Sequence, residues 1–329
     1  MPDVMHNFEL FQPGNLADAQ SLLNDHDDAW LIAGGKDSLD WFKHRVKQPS
    51  VLIDLAGIEE LYGISDTGDG GLRIGAMTTL TEVAANATVM EKFPLLGEAA
   101  GMVASPQIRN VGTLGGNVSQ DTRCDYYRDG FPCYRAGGNT CYANTPTAMN
   151  REHTMFEASR CVAVTPSDTA PALTALEAVF HVQGRRGVRD VAAEDFFIGP
   201  DVDITRMTSM EHGEILLAVT VPGKWAGSEQ YFEKVADRKT WDFALVNIAM
   251  AARKVDGRIS EVSMVSGAVQ CTPRRLTEVE SLIVGEVPNT ELETLVKRVA
   301  ASGAKPLNFN HFKVPLMQNL AARAVRSLA

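Results

Sequence analysis

The chain has 329 residues, enough for two or three domains with cores of their own. Its net charge of −10 argues against a nucleic-acid partner, which needs a basic face. No apolar run approaches the ~18 residues of a membrane span, and Met1-Pro2-Asp3-Val4 lacks the basic and apolar regions of a secretory leader. A cytoplasmic location is therefore expected, or a periplasmic one through export with a signal-bearing partner.

Helix and strand signals alternate from the start. Asn15 can cap a helix through Leu16, Ala19 and Leu23. Trp30 to Ala33 reads as a strand that Gly34-Gly35 turns into the amphipathic run Leu39 to Arg45. Val51 to Ile53 and Leu72 to Gly75 read as strands, and Thr79 to Ala87 and Pro94 to Ala104 as helices. Residues 118 to 160 then break the rhythm with Arg, Asn, Tyr and Gly and little apolar periodicity. A segment of that composition cannot build its own core, and a loop this long in a compact protein is functional or disordered. Beyond it come a helix over Ala170 to Ala175 and strands at Ala178 to Val182 and Glu214 to Val221. Pro222-Gly223-Lys224 marks a domain boundary, giving domains over 1–222 and 223–329. The second domain reads as strand Tyr231 to Val235, helix Ala244 to Ala252, strand Ile259 to Val265 and a helical tail from Thr290.

Four of the five cysteines, Cys124, Cys133, Cys141 and Cys161, fall in or at the edge of the irregular segment. Two disulfides would need an oxidising compartment, so an acidic chain of this size favours metal ligation, in which ligand bonds replace a missing core. The gaps of eight, seven and nineteen residues are unlike the Cys-x-x-Cys pairs of zinc ribbons. Cys271 follows a strand-like stretch and reads as a packed thiol. His153 in the same segment is expected at the surface, and the aromatics Tyr126, Tyr127, Phe131, Tyr134 and Tyr142 can jacket a metal centre.

Two glycine turns precede this segment, the second of them directly. Ala33-Gly34-Gly35-Lys36-Asp37 follows a strand, and Thr113-Leu114-Gly115-Gly116-Asn117 precedes the cysteines. Glycines there let backbone N–H groups approach an anion, and two such turns can hold the two ends of one pyrophosphate. Neither is the G-x-G-x-x-G of a nicotinamide site. No Ser-His-Asp order, H-E-x-x-H or Walker lysine is present, so no catalytic side chain is assigned.

The strings Leu31-Ile32-Ala33-Gly34-Gly35, Ile108 to Asn117, Pro166-Ser167-Asp168 and Gly213-Glu214-Ile215-Leu216-Leu217 occur in that order. Together they resemble the FAD-binding medium subunit of the xanthine dehydrogenase and carbon monoxide dehydrogenase family of molybdenum hydroxylases. The resemblance implies an α+β fold. Its first part is an FAD-binding domain of the PCMH/vanillyl-alcohol-oxidase type with two α/β subdomains, and its second a smaller C-terminal α+β domain like that of carbon monoxide dehydrogenase flavoproteins. It implies that Ile32, Ala33, Gly34, Gly35, Lys36 and Asp37 form the first pyrophosphate loop of a non-covalent FAD, and Thr113, Leu114, Gly115, Gly116 and Asn117 the second. Asp168 resembles an acidic contact to the flavin nucleotide, Leu216 an apolar contact to the isoalloxazine, and Lys234 a lysine whose charge stabilises reduced flavin.

The insert at about 118–162 narrows the resemblance to members with an additional 4Fe-4S cluster, here on Cys124, Cys133, Cys141 and Cys161, since cysteine thiolates at four positions suit a cubane. The long last gap is closer to bacterial three-subunit aldehyde oxidoreductases than to 4-hydroxybenzoyl-CoA reductase. The implied role is electron transfer, the chemistry belonging to the cofactors. A large molybdopterin-bearing subunit and a small subunit with 2Fe-2S clusters are implied as partners, with an external electron acceptor. A stand-alone flavin oxidase and a zinc-held scaffold subunit are the alternatives.

Overall fold

The computed structural model describes residues 5–156 and 159–329. Met1 to Val4, on which the absence of a leader was read, and Glu157 and Ala158 of the insert lie outside them. Three sheets organise the described residues. The first is parallel, with β1 (Glu9–Phe11), β2 (Trp30–Ile32) and β3 (Val51–Asp54) in the order β1-β3-β2. Parallel neighbours need crossover connections, which the helices Leu16–Asp25 and Ser38–Lys43 supply. Asn15 starts the first of these by accepting the Asp18 N–H at 2.9 Å.

The second sheet is antiparallel, with β4 (Ile64–Asp66), β5 (Leu72–Gly75), β6 (Val179–Gly184), β7 (Gly187–Ala192) and β8 (Ile215–Val221) in the order β4-β5-β8-β6-β7. The chain between β5 and β6 carries the helix Pro94–Gly101, the irregular insert and the helix Thr169–Ala175. The third sheet, also antiparallel, places β9 (Glu229–Val235), β10 (Val246–Val255), β11 (Arg258–Gly267) and β12 (Arg274–Arg275) in the order β12-β11-β10-β9. Helices Thr277–Ile283, Thr290–Val299 and Lys313–Arg326 follow.

The helix expected over Ala244 to Ala252 is instead the central strand β10. Its Ala249 and Ala251 pack into the core built on Pro94–Gly101 and Thr169–Ala175, while Ile248, Met250 and Ala252 pack with the three C-terminal helices. A strand buried on both faces has no reason to alternate, so its apolar run carries no period of two.

The insert shares the cores of its neighbours. Tyr127 and Cys133 join Trp41, Phe42 and Leu52 of the first unit, whereas Met155 and Phe156 join the C-terminal core. Fully buried Lys313 donates to the carbonyls of Glu152, His153 and Ala268 at 3.0, 3.0 and 2.8 Å. Asn310 adds bonds to the carbonyls of His153 and Thr154 at 3.0 and 2.9 Å. These contacts pin the insert against both the first unit and the C-terminal domain.

Candidate functional site

The two glycine turns meet at one cavity of about 940 Å³, at the upper end of the range for small-molecule sites. Close packing explains the first glycine of each pair, and backbone conformation explains Gly35. A Cβ on Gly34 would lie 2.1 Å from the Val111 carbonyl oxygen, and Gly35 sits at φ 68°, a left-handed conformation that favours glycine. Gly115 donates to the Ala76 carbonyl at 2.8 Å, where a Cβ would clash with that same oxygen. Thr113 caps the short helix Leu114–Val118, its Oγ1 accepting the Gly116 N–H at 3.0 Å.

Asn117 ties the second turn to the next motif, its Oδ1 accepting Ser167 Oγ at 2.6 Å and Thr169 Oγ1 at 2.7 Å. That fixes Asp168 on the cavity wall beside Gly116 and Asn117. Of the expected contact residues, Ala33 to Asp37, Thr113, Gly115, Gly116, Asn117, Asp168 and Leu216 border the cavity. Ile32 packs beneath Gly35, and Leu114 is fully buried in the core.

Lys234 stands apart as well. Its Nζ donates to Asp168 Oδ2 at 2.6 Å and to the carbonyls of Asp242 and Met102 at 2.7 and 3.0 Å. An ammonium has three N–H donors, so none is left for a flavin. Lys234 therefore acts on the site through Asp168, which also accepts from Asn247 Nδ2 at 3.2 Å. Burial pushes the Asp168 carboxyl above its usual range, and Lys234 pulls against it. Lys234→Met would leave a buried carboxylate unpaired, and the expected cost is about 3–5 kcal/mol. Adding Asp168→Asn should recover part of that loss in denaturant unfolding. Unchanged stability in Lys234→Met, with only the flavin spectrum altered, would return the lysine to a direct contact.

Cys133 is buried, and Cys124, Cys141 and Cys161 are half-buried. Burial pushes the Cys124 thiol up to about 12, and the neighbouring thiols of Cys161, Cys141 and Cys133 add to it. Burial likewise raises Cys161, with Arg135 opposing. Such thiols favour ionisation once a cation offsets their charge. Among the described residues no three His, Cys, Asp or Glu side chains are grouped closely enough to hold one metal ion. The rings of Tyr126, Phe131 and Tyr142 pack on one another with centroids 5.1–6.4 Å apart, while Tyr127 turns away onto Trp41. Cys271 is buried and donates to the Ala163 carbonyl at 2.8 Å, as a packed thiol would.

His153, expected at the surface, is buried, and its Nε2 lies 3.3 Å from Cys124 Sγ. Burial lowers its pKa to about 4, so the ring is neutral near pH 7. The backbone of its own segment explains the burial, because Lys313 and Asn310 hold the His153 carbonyl inward. A smaller cavity of about 40 Å³ touches Cys124, His153 and Asp168, and Arg123, Pro166, Asp168 and Phe243 border both cavities.

Sequence reasoning missed Arg123, the stretch Thr208 to Gly213 and the loop Arg238 to Phe243, all of which border the large cavity in part or whole. Gly213, at the head of a recognised motif, was a usable signal for the second of these. In the loop, Trp241 is 59% exposed at φ 58° and donates its N–H to the Ala104 carbonyl at 2.8 Å.

A protein-family model described as the FAD binding domain in molybdopterin dehydrogenase matches residues 6–224, and one described as the CO dehydrogenase flavoprotein C-terminal domain matches residues 230–328. The aldehyde oxidoreductase FAD-binding subunit PaoB of Escherichia coli K12 is 38% identical over 225 residues, which are 67% of this chain and 70% of that protein. The carbon monoxide dehydrogenase medium chain of Hydrogenophaga pseudoflava is 32% identical over 281 residues, 85% of this chain and 80% of that one. A solved structure of carbon monoxide dehydrogenase from Hydrogenophaga pseudoflava, lacking the Mo-pyranopterin moiety, superposes with a TM-score of 0.78 at 28% identity, covering 99% of this chain and 98% of its own.

Proposed function

The chain belongs to the FAD-binding subunits of the molybdenum hydroxylases, and from that premise we propose that it relays electrons between a 4Fe-4S cluster in its insert and an FAD in the large cavity. The carrying observation is that Arg123, next in sequence to Cys124, lies on the wall of that cavity, while Cys161, Cys141 and Cys133 stand near enough to Cys124 to raise its thiol. Bound FAD supplies the exchange between one-electron carriers and one- or two-electron acceptors.

The chain's own residues do the holding. Gly34, Gly35, Gly115 and Gly116 keep the walls close enough for backbone N–H groups to meet a pyrophosphate, and Asp168 and Leu216 border the rest of the space. Cys124, Cys133, Cys141 and Cys161 offer one thiolate to each iron of a cubane, an arrangement that does not require them to converge on one atom. Tyr127 and Tyr142 share one apolar cluster with Cys133 and Cys124 and would cover that site, and His153 can donate Nε2–H to the Cys124 sulfur.

On this reading a large molybdenum-cofactor subunit and a small 2Fe-2S subunit deliver electrons, and a quinone, oxygen, ferredoxin or nicotinamide removes them. The likeness to an aldehyde oxidoreductase subunit supports an aldehyde-oxidising complex over a 4-hydroxybenzoyl-CoA reductase. The test is purification of the tagged chain from its native host under anaerobic conditions. Two larger and smaller partners, molybdenum, and a visible spectrum with flavin bands over a broad iron–sulfur shoulder are expected. A monomer carrying flavin alone would favour the stand-alone oxidase.

A further inference from the structure

The helix Ser38–Lys43 begins at Asp37, directly after the first glycine turn, and carries Asp40 one turn on. Asp37 accepts Trp41 Nε1–H at 3.0 Å, Arg123 at 2.7 Å and Arg128 at 2.5 Å. Asp40 accepts Arg128 at 2.8 Å and faces Arg123 at 3.5 Å. Arg128 is the more deeply set, with its side chain 8% exposed, its Nε on the Thr122 carbonyl at 2.9 Å, and its guanidinium stacked 3.8 Å over the Trp41 ring. Both arginines belong to the insert, some 90 residues along the chain from the carboxylates they meet.

Charge makes the arrangement more than a surface contact. Two uncompensated carboxylates beside the first glycine turn would repel an anionic phosphate. The two guanidiniums cancel them and leave Lys36 as the net charge of the loop. The planar fork of each arginine suits carboxylate pairs in a way a lysine does not. Position adds the second half of the argument. Arg123 precedes Cys124, and Arg128 ends the single helical turn Asp125–Arg128 that Cys124 begins, so one short piece of chain carries the thiol and both guanidiniums.

We propose that Arg123 and Arg128 are positioning residues of the flavin site, and that through them FAD binding and loading of the cysteine cluster are thermodynamically linked. This rests on the FAD and cluster reading given above and adds the coupling between the two. Holding Cys124 in a cluster orders the turn, the turn holds Asp37 and Asp40, and these set the first glycine loop for the dinucleotide. Linkage is reciprocal, so FAD must favour the cluster-loaded insert by the same factor, on the order of tenfold.

The test uses the full chain in its complex, deflavinated and then titrated with FAD while flavin fluorescence is followed. Wild-type protein with its iron intact is compared with anaerobically iron-stripped protein. Stripping is expected to weaken FAD about tenfold. In Arg128→Met and in the Arg123→Met/Arg128→Met pair, FAD binds more weakly from the outset and stripping no longer changes its affinity. Arg128→Lys keeps the charge without the fork and should restore only part of the coupling. Should the methionine variants fail to fold, Asp40→Asn weakens only the Asp40 contacts to Arg128 and Arg123, leaves those of Asp37 in place, and is expected to reduce the coupling by a smaller factor. Equal FAD affinity in loaded and stripped wild type, or undiminished coupling in the double variant, overturns the linkage. A wild type that never binds iron removes the cluster reading and the linkage with it. The positioning claim then stands only if Arg128→Met still weakens FAD, and falls if it does not.

Discussion

Gly34→Val is expected to abolish FAD retention, and Gly116→Leu to do so with far less damage to the fold. At Gly34 a Cβ meets the Val111 carbonyl oxygen at 2.1 Å and its carbon at 2.8 Å, both backbone atoms that cannot swing aside. The two glycine loops would have to separate, and forcing bulk into packing of this kind costs about 1–3 kcal/mol or more. At Gly116 a Cβ meets only Thr113 Oγ1 at 3.0 Å and Ala33 Cβ at 3.9 Å, so a larger side chain is free to occupy the cavity that the flavin needs. Purified Gly116→Leu should therefore unfold close to wild type in denaturant yet carry little flavin, whereas Gly34→Val should lose both stability and flavin. Full flavin occupancy in Gly116→Leu would remove the second turn from the site.

Replacing any one of Cys124, Cys133, Cys141 or Cys161 with alanine is expected to strip most of the iron and acid-labile sulfide, because each thiolate closes one iron against solvent. Cys271→Ala should leave both at the wild-type level. Its thiol is already committed to the Ala163 carbonyl and is 3% exposed, so its loss costs packing alone. The Cys124 variant should lose FAD as well, since Cys124 anchors the turn that carries Arg128. Iron, sulfide and flavin assays on the five variants check this. Equal dependence on Cys271, or zinc in place of iron, would contradict the ligand set.

Most of the fold and of the cavity wall could be read from the chain because the residues concerned act locally. A strand, a glycine turn and a capped helix are decided within a few positions, as at Trp30 to Asp37 and Thr113 to Asn117. What the chain alone does not disclose depends on distant partners. β10 resembles a helix because two separate cores cover its two faces. Lys234 matched a motif, yet its three acceptors come from three other segments of the chain and use up its donors. His153 looks like an exposed histidine until Lys313 and Asn310, more than 150 residues on, draw its backbone inward. Arg123 and Arg128 carried no local signal at all, since an arginine in a polar insert has the composition of a solvated loop.

Iron and acid-labile sulfide per FAD, measured on the full chain separated anaerobically from its partners, test the central claim most directly. An electron relay within this chain predicts about four of each per flavin. Flavin accompanied by no iron, or by zinc, would contradict it.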